Sequence, residues 1–190
     1  MYELRIHGRG GQGAVMAGAM LAAAMVREGK FVVAIPSFGF ERRGAPVTSF
    51  LRFDEREIRQ MTNIYRPDCV VCIDPTVARA VNIFEGVKDH GVLVQAGAKA
   101  LSELKVPGMI GTVGLCDAVA IALEIFKRPI TNTIMLGAFA RTTGLVTVES
   151  LRFALEGSEF RDAGLQQNLE ALDRGYRATQ VYHLEKKAAA

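Results

Sequence analysis

An α/β fold, with a mostly parallel sheet flanked by helices and a helical C-terminal third, follows from three features of this sequence. Short apolar runs alternate with helical segments over the first two thirds of its 190 residues. A glycine-rich turn joins the first strand to the first helix. The last third carries helix-period patterns, ending in an amphipathic stripe.

Tyr2 to His7 alternates, with Leu4 and Ile6 on one face, and reads as a strand. Gly8 to Gly13 is a glycine loop. Gln12 to Glu28 reads as a helix stopped by Gly29, and its small residues (Ala14, Ala17, Gly18, Ala22) let it lie close on a sheet. Phe31 to Ile35 is a second strand, ended by Pro36. Ser37 to Ala45 is a loop, and Val47 to Phe53 alternates again as a third strand. Cys69 to Ile73 has the composition of a buried strand, and Asp74-Pro75 marks a helix start with proline just inside it. Val92–Gln95 and Met109–Val113 are further short strands. Cys116–Phe126, Asn132–Arg141 and Val148–Leu155 read as helices. Asp162 to Thr179 carries Leu165, Leu169, Leu172 and Tyr176 on one helical stripe. With no repeat, linker or composition break, residues 1–185 are expected to form a single α/β domain, and 186–190 a frayed tail.

Composition narrows the function. Apolar residues make up 49% and charged residues 23%, a globular balance. Three cysteines exclude a disulfide scaffold and point to a reducing compartment, so a cytoplasmic protein is expected. The absence of tryptophan and a net charge of only +3 argue against a nucleic-acid partner. The uncharged run from Gly13 to Val26 is too short and too rich in alanine and glycine to span a bilayer. The charge is uneven: residues 1–53 hold seven Lys/Arg and three acids. An anion site is therefore expected in the N-terminal part.

Gly8-Arg9-Gly10-Gly11-Gln12-Gly13 contains G-x-G-x-x-G between a strand and a helix, the context of the dinucleotide fingerprint, and makes the sheet Rossmann-like. Glycines let the backbone approach a pyrophosphate, and the helix N-terminus offers free N–H groups and a positive dipole end. Arg9 adds a charge. The bland alternative is a tight crossover that needs glycine for packing alone. An NAD site expects an acid at the end of the second strand, about 20 residues on. Ile35-Pro36-Ser37 offers none, and Arg42 and Arg43 follow instead, suited to a phosphate. A pyrophosphate with a further ribose phosphate fits, as in NADP or coenzyme A. A solvated turn, or a clamp on a partner's carboxylates, is the competing reading of the two arginines.

His7 to Gly13, followed by Ser37-Phe38-Gly39-Phe40-Glu41-Arg42-Arg43-Gly44, resembles the gamma subunit or domain of the 2-oxoacid:acceptor oxidoreductases, such as pyruvate:ferredoxin oxidoreductases. Asn132–Ala138 and Asn168–Leu172 agree, and the resemblance runs over about residues 2 to 178. It implies a complex that converts a 2-oxoacid and CoA to acyl-CoA, carbon dioxide and two electrons. Thiamine diphosphate, Mg2+ and iron–sulfur clusters would sit on alpha, beta and ferredoxin-like delta subunits, with an NAD-reducing subunit as an option. On this chain the resemblance implies CoA phosphates near Gly8, Arg9, Gly10, Gly11, Gln12 and Gly13, neutralised by Arg42 and Arg43 beside Gly44. Phe38 and Phe40 replace the family's tyrosine and proline, a departure with two readings, a bulkier acyl group or lid packing, of which packing is favoured.

The chain shows no catalytic set of its own. Cys69 and Cys72 form a C-x-x-C, but on a strand residues i and i+3 face opposite ways and cannot share a metal. His7 could donate to a phosphate or make a local bond at the strand end. Asp74 could border the ligand crevice, though a cap explains it more cheaply. A stand-alone NADP-binding reductase domain and a non-catalytic adaptor are the alternatives.

Overall fold

The computed structural model describes residues 1–37, 44–158 and 164–185. Among the described residues seven strands form one sheet: β1 (Tyr2–Arg9), β2 (Phe31–Ser37), β3 (Pro46–Asp54), β4 (Cys69–Cys72), β5 (Gly91–Ala96), β6 (Ile110–Cys116) and β7 (Gln180–His183), in the order β2-β3-β1-β4-β5-β6-β7. β1, β4, β5 and β6 pair in parallel. β3 runs antiparallel to both β1 and β2, and β7 antiparallel to β6. Five of these strands therefore point one way, the mostly parallel arrangement expected.

Pro36 does not end the second strand. β2 continues through it to Ser37, because β2 is the sheet edge and Pro36 stands opposite Ser49 with no second neighbour to receive an N–H. β7 is absent from the sequence reading. Its four residues are too few to show a period, and it takes shape by pairing Gln180 to His183 with Leu115 to Thr112. Cys116 closes β6 rather than opening a helix, and Asp117 caps the helix by accepting from the Ala120 N–H.

The helices are α1 (Ala14–Arg27), α2 (Ala118–Phe126), α3 (Asn132–Thr143), α4 (Val148–Glu156) and α5 (Leu165–Ala178). All five contribute to one buried cluster on a single face of the sheet, with Leu4, Ile6, Leu51, Val71 and Val94 beneath them. α3 lies innermost, buried from Asn132 through Ala140. It touches α5 at backbone distance, since a Cβ at Gly175 would stand 2.0 Å from the Ile134 carbonyl and one at Gly137 2.1 Å from that of Leu172.

The other face is covered by irregular chain, including 3₁₀ turns at Pro75–Arg79 and Leu101–Glu103. Two buried arginines fasten it. Arg5 donates to the carbonyls of Ile83 and Glu85 at 3.0 and 2.6 Å. Arg52, 1% exposed, pairs with Glu3 at 3.0 Å and donates to the carbonyls of Thr62 and Asn63. These bonds satisfy loop carbonyls that secondary structure would otherwise take. Residues 38–43, within the expected loop, 159–163, including the expected start of the last helix, and the expected tail at 186–190 lie outside the described residues.

His7 shares this second face. It is 5% exposed, and burial and then the Arg5 charge depress its pKa from 6.5 to about 4. Unfolded chain therefore binds a proton at a pH where the folded chain does not. Stability is full above pH 6.5 and is lost as pH falls toward 4, by about 3 kcal/mol in all. Urea unfolding at stepped pH should show this slope between 6.5 and 5, and His7→Gln should flatten it. An unchanged slope in the variant refutes the assignment.

Candidate functional site

The glycine loop sits at the carboxyl end of β1, beside the carboxyl end of β4, where parallel strands leave a crevice for ligands. Sterics explain two of its glycines. A Cβ at Gly8 would meet the Ile73 side chain at 2.7 Å. Gly13 has φ +79, and a Cβ there would stand 2.5 Å from Asn132 Nδ2. Gly11, with φ +90, also takes the left-handed conformation that glycine adopts without strain.

Gly13 is the N-cap of α1 and provides no side-chain cap. The first helical bond runs from Ala17 N–H to the Gly13 carbonyl at 2.8 Å. The preceding amides of α1 have no acceptor one turn back, and the positive dipole end of a 14-residue helix stands at the loop. This is the arrangement that receives an anion without needing a basic side chain.

Three chain segments meet around the loop. Gly10 N–H donates to the Ala45 carbonyl at 2.8 Å, and Gly44 N–H to the Gly10 carbonyl at 3.1 Å. Arg9 N–H donates to Gln12 Oε1 at 2.8 Å, and Gln12 Nε2 to Asp74 Oδ2 at 2.6 Å. Asp74 Oδ1 accepts from the Thr76 N–H, the cap of the 3₁₀ turn. Burial alone would raise the Asp74 pKa, but the bonds from Thr76 and Gln12 and the Arg9 charge outweigh it and hold the carboxyl below its ordinary value. The structure thus brings Gly8, Arg9, Gly10, Gly11, Gln12, Gly13 and Gly44 together. Arg42 and Arg43 lie outside the described residues.

Thr76 and Asn132 were not singled out as site residues by sequence reasoning. Thr76 has no local signature. Asn132 opens α3 beside Gly13, and its Oδ1 is buried without a hydrogen-bond partner. Thr131 anchors that helix start, donating from Oγ1 to the Ile73 carbonyl at 3.0 Å. Beneath the loop, between α1 and α3, a void of about 10 Å³ is bordered by Ala17, Leu21, Val71 and Phe139. At that size it has room for no more than about one water. The structure gives His7 a local contact, with Nδ1 3.3 Å from Thr48 Oγ1. Cys69 belongs to the helix-side cluster and Cys72 to the opposite one. Burial pushes the Cys72 thiol up to about 12.

Fold and loop together define an α/β protein with a glycine-loop crossover into an uncapped helix. The family model described as pyruvate ferredoxin/flavodoxin oxidoreductase matches residues 3–178. The gamma subunit of NADH-dependent phenylglyoxylate dehydrogenase from Aromatoleum evansii is 69% identical over 190 residues, the whole of both chains. The common gamma subunit of pyruvate/ketoisovalerate oxidoreductases from Thermococcus kodakarensis is 47% identical over 186 residues, 97% of this chain and 100% of that one. The crystal structure of pyruvate oxidoreductase subunit PORC from Thermotoga maritima superposes with a TM-score of 0.81 at 39% identity, covering 95% of this chain and 97% of that one. This chain belongs to the pyruvate ferredoxin/flavodoxin oxidoreductase family. It is a gamma subunit of a multi-subunit 2-oxoacid oxidoreductase. Among the described residues no helix is long and apolar enough to cross a membrane.

Proposed function

We propose that this chain, one domain over residues 1–185, is the gamma subunit of a cytoplasmic, CoA-acylating complex that oxidises an aryl 2-oxoacid and reduces NAD. The observation that carries this reading is the 69% identity over both full lengths to a phenylglyoxylate dehydrogenase gamma subunit, against 47% to a pyruvate/ketoisovalerate one. The overall reaction balances as aryl 2-oxoacid, CoA and NAD+ giving aroyl-CoA, carbon dioxide and NADH. The bond from the carbonyl carbon to the carboxylate breaks and leaves its two electrons, the thioester forms with release of the thiol proton, and NAD+ takes up two electrons and one proton. Carbanion stabilisation belongs to thiamine diphosphate with Mg2+, and electron storage to iron–sulfur clusters, on alpha, beta and delta partners, with a further NAD-reducing subunit.

This chain's contribution is to hold the phosphates of CoA. The uncapped N-terminus of α1 and the positive-φ glycines fit a pyrophosphate closely approached by backbone. Arg42 and Arg43 precede Gly44, which the loop itself holds, and they supply charge for the remaining phosphate.

Assays of the whole complex from its native source test the proposal. Phenylglyoxylate should be turned over with a kcat/KM at least tenfold above that for pyruvate, with CoA required and NADH formed. Preference for pyruvate, or failure to reduce NAD, defeats it. Changing Arg42 and Arg43 together to alanine should raise the KM for CoA tenfold or more and leave that for the 2-oxoacid nearly unchanged. A charge-assisted phosphate contact is worth about 1.5–3 kcal/mol when desolvated. Unaltered CoA kinetics in the double variant would assign the two arginines to assembly.

A further inference from the structure

Arg9 stands inside the glycine loop, where a basic side chain reads as a phosphate ligand. Its guanidinium is engaged elsewhere. Nε donates to Thr76 Oγ1 at 2.8 Å and Nη2 to the Thr76 carbonyl at 3.0 Å. Nη1 donates to the Gly44 carbonyl at 2.8 Å. Asp74 Oδ2 lies 3.5 Å from Nε and partly cancels the charge that Arg9 would offer an anion. One planar fork therefore ties together the end of β1, the turn after β4 and the approach to β3.

We propose that Arg9 is a positioning residue: it clasps the glycine loop to Thr76 and Gly44, and so sets the spacing at which the loop and the N-terminus of α1 receive a phosphate. The geometry selects arginine. Three acceptors lie around one guanidinium, and each of its three nitrogens serves one of them. A lysine ammonium is a single point and cannot span that fork. Among the described residues, Gly44 is otherwise joined to the loop by one backbone bond, from its N–H to the Gly10 carbonyl. The clasp also explains why an acid, Asp74, is tolerated beside an anion site: it orients Gln12 Nε2 and caps the Thr76 turn, and Arg9 balances it. This inference rests on the reading that CoA phosphates bind at this loop.

The test uses the intact complex carrying Arg9→Lys, Arg9→Met, Thr76→Val or the double variant Arg9→Met/Thr76→Val, with Gly11→Val as a marker of the site. Two readouts are taken: KM and kcat for CoA, and hydrogen exchange of the Gly10 and Gly44 amides in the complex without CoA. A clasp predicts that Arg9→Met and Thr76→Val each raise the KM for CoA about tenfold, with kcat within twofold. It predicts that the double variant is no worse than Arg9→Met and that lysine gives no rescue. It also predicts faster exchange at both amides before any CoA is added. Rescue by lysine with Thr76→Val silent in both readouts overturns the clasp and makes Arg9 a direct ligand. If Gly11→Val raises the KM while the Arg9 and Thr76 variants do not, the clasp alone falls. If exchange quickens while every variant, Gly11→Val included, leaves CoA kinetics untouched, the clasp holds the loop but the placement of CoA there is wrong.

Discussion

Replacing Gly175 with alanine is expected to cost this chain about 3 kcal/mol or more of stability and most of its soluble yield. The added Cβ would stand 2.0 Å from the Ile134 carbonyl oxygen, a distance no carbon can occupy. The obstacle is backbone of a helix buried from Asn132 through Ala140, so no side chain can swing aside. Relief requires α5 to move off α3, which opens the packing around Ala138, Phe139, Ala171 and Leu172, all 0% exposed. Gly137→Ala should act the same way, because its Cβ would stand 2.1 Å from the Leu172 carbonyl. Gly157→Ala is the matched control: its nearest neighbours lie at 3.9 Å and its φ is −84, so it should be nearly neutral. Thermal and urea unfolding of the three variants decide the matter. A Gly175→Ala chain as stable as Gly157→Ala would mean that α3 and α5 do not approach this closely.

Gly11→Val carries the second large effect, on activity rather than stability. Gly11 is exposed and has φ +90, so a β-branched residue is strained there whatever the space around it. If CoA binds as proposed, the strain would displace the backbone facing its pyrophosphate, and the two methyl groups would stand where a phosphate oxygen lies. CoA-dependent turnover by the complex should fall more than tenfold. Decarboxylation without CoA should persist, and so should assembly, because the loop is a surface element at the carboxyl ends of the strands. Loss of both activities in an intact complex would show that the loop supports the thiamine site. No change in either would leave the glycines serving only the crossover, as the contacts of Gly8 with Ile73 and of Gly13 with Asn132 already do.

Much of the architecture is local and therefore readable. The alternation of Leu4 and Ile6 on one face, the glycine run, the small residues of α1 and the leucine stripe of α5 are patterns among near neighbours, and all appear where expected. Strand parity alone separates Cys69 from Cys72, and the two lie in different clusters. The glycine loop was legible for the same reason: left-handed backbone at Gly11 and Gly13 and a helix start at Ala14 are set within six residues.

What the sequence alone did not determine depends on partners far away in the chain. The clasp joins residues 67 positions apart, and α4 is tied to the end of α1 by Thr147 and Glu28, 119 apart. No spacing rule predicts such pairs, so Arg9 reads from sequence as a phosphate ligand while the tertiary structure commits its fork to Thr76 and Gly44. The one-sided helical layer is decided the same way: apolar periodicity says that a helix has a buried face, but only packing says which side of the sheet covers it. On the second side, Arg5 and Arg52 look like surface charges in a sequence, and become buried fasteners because loop carbonyls reach them. β7 and the passage of β2 through Pro36 belong here too, since an edge position and an antiparallel neighbour exist only once the sheet has formed.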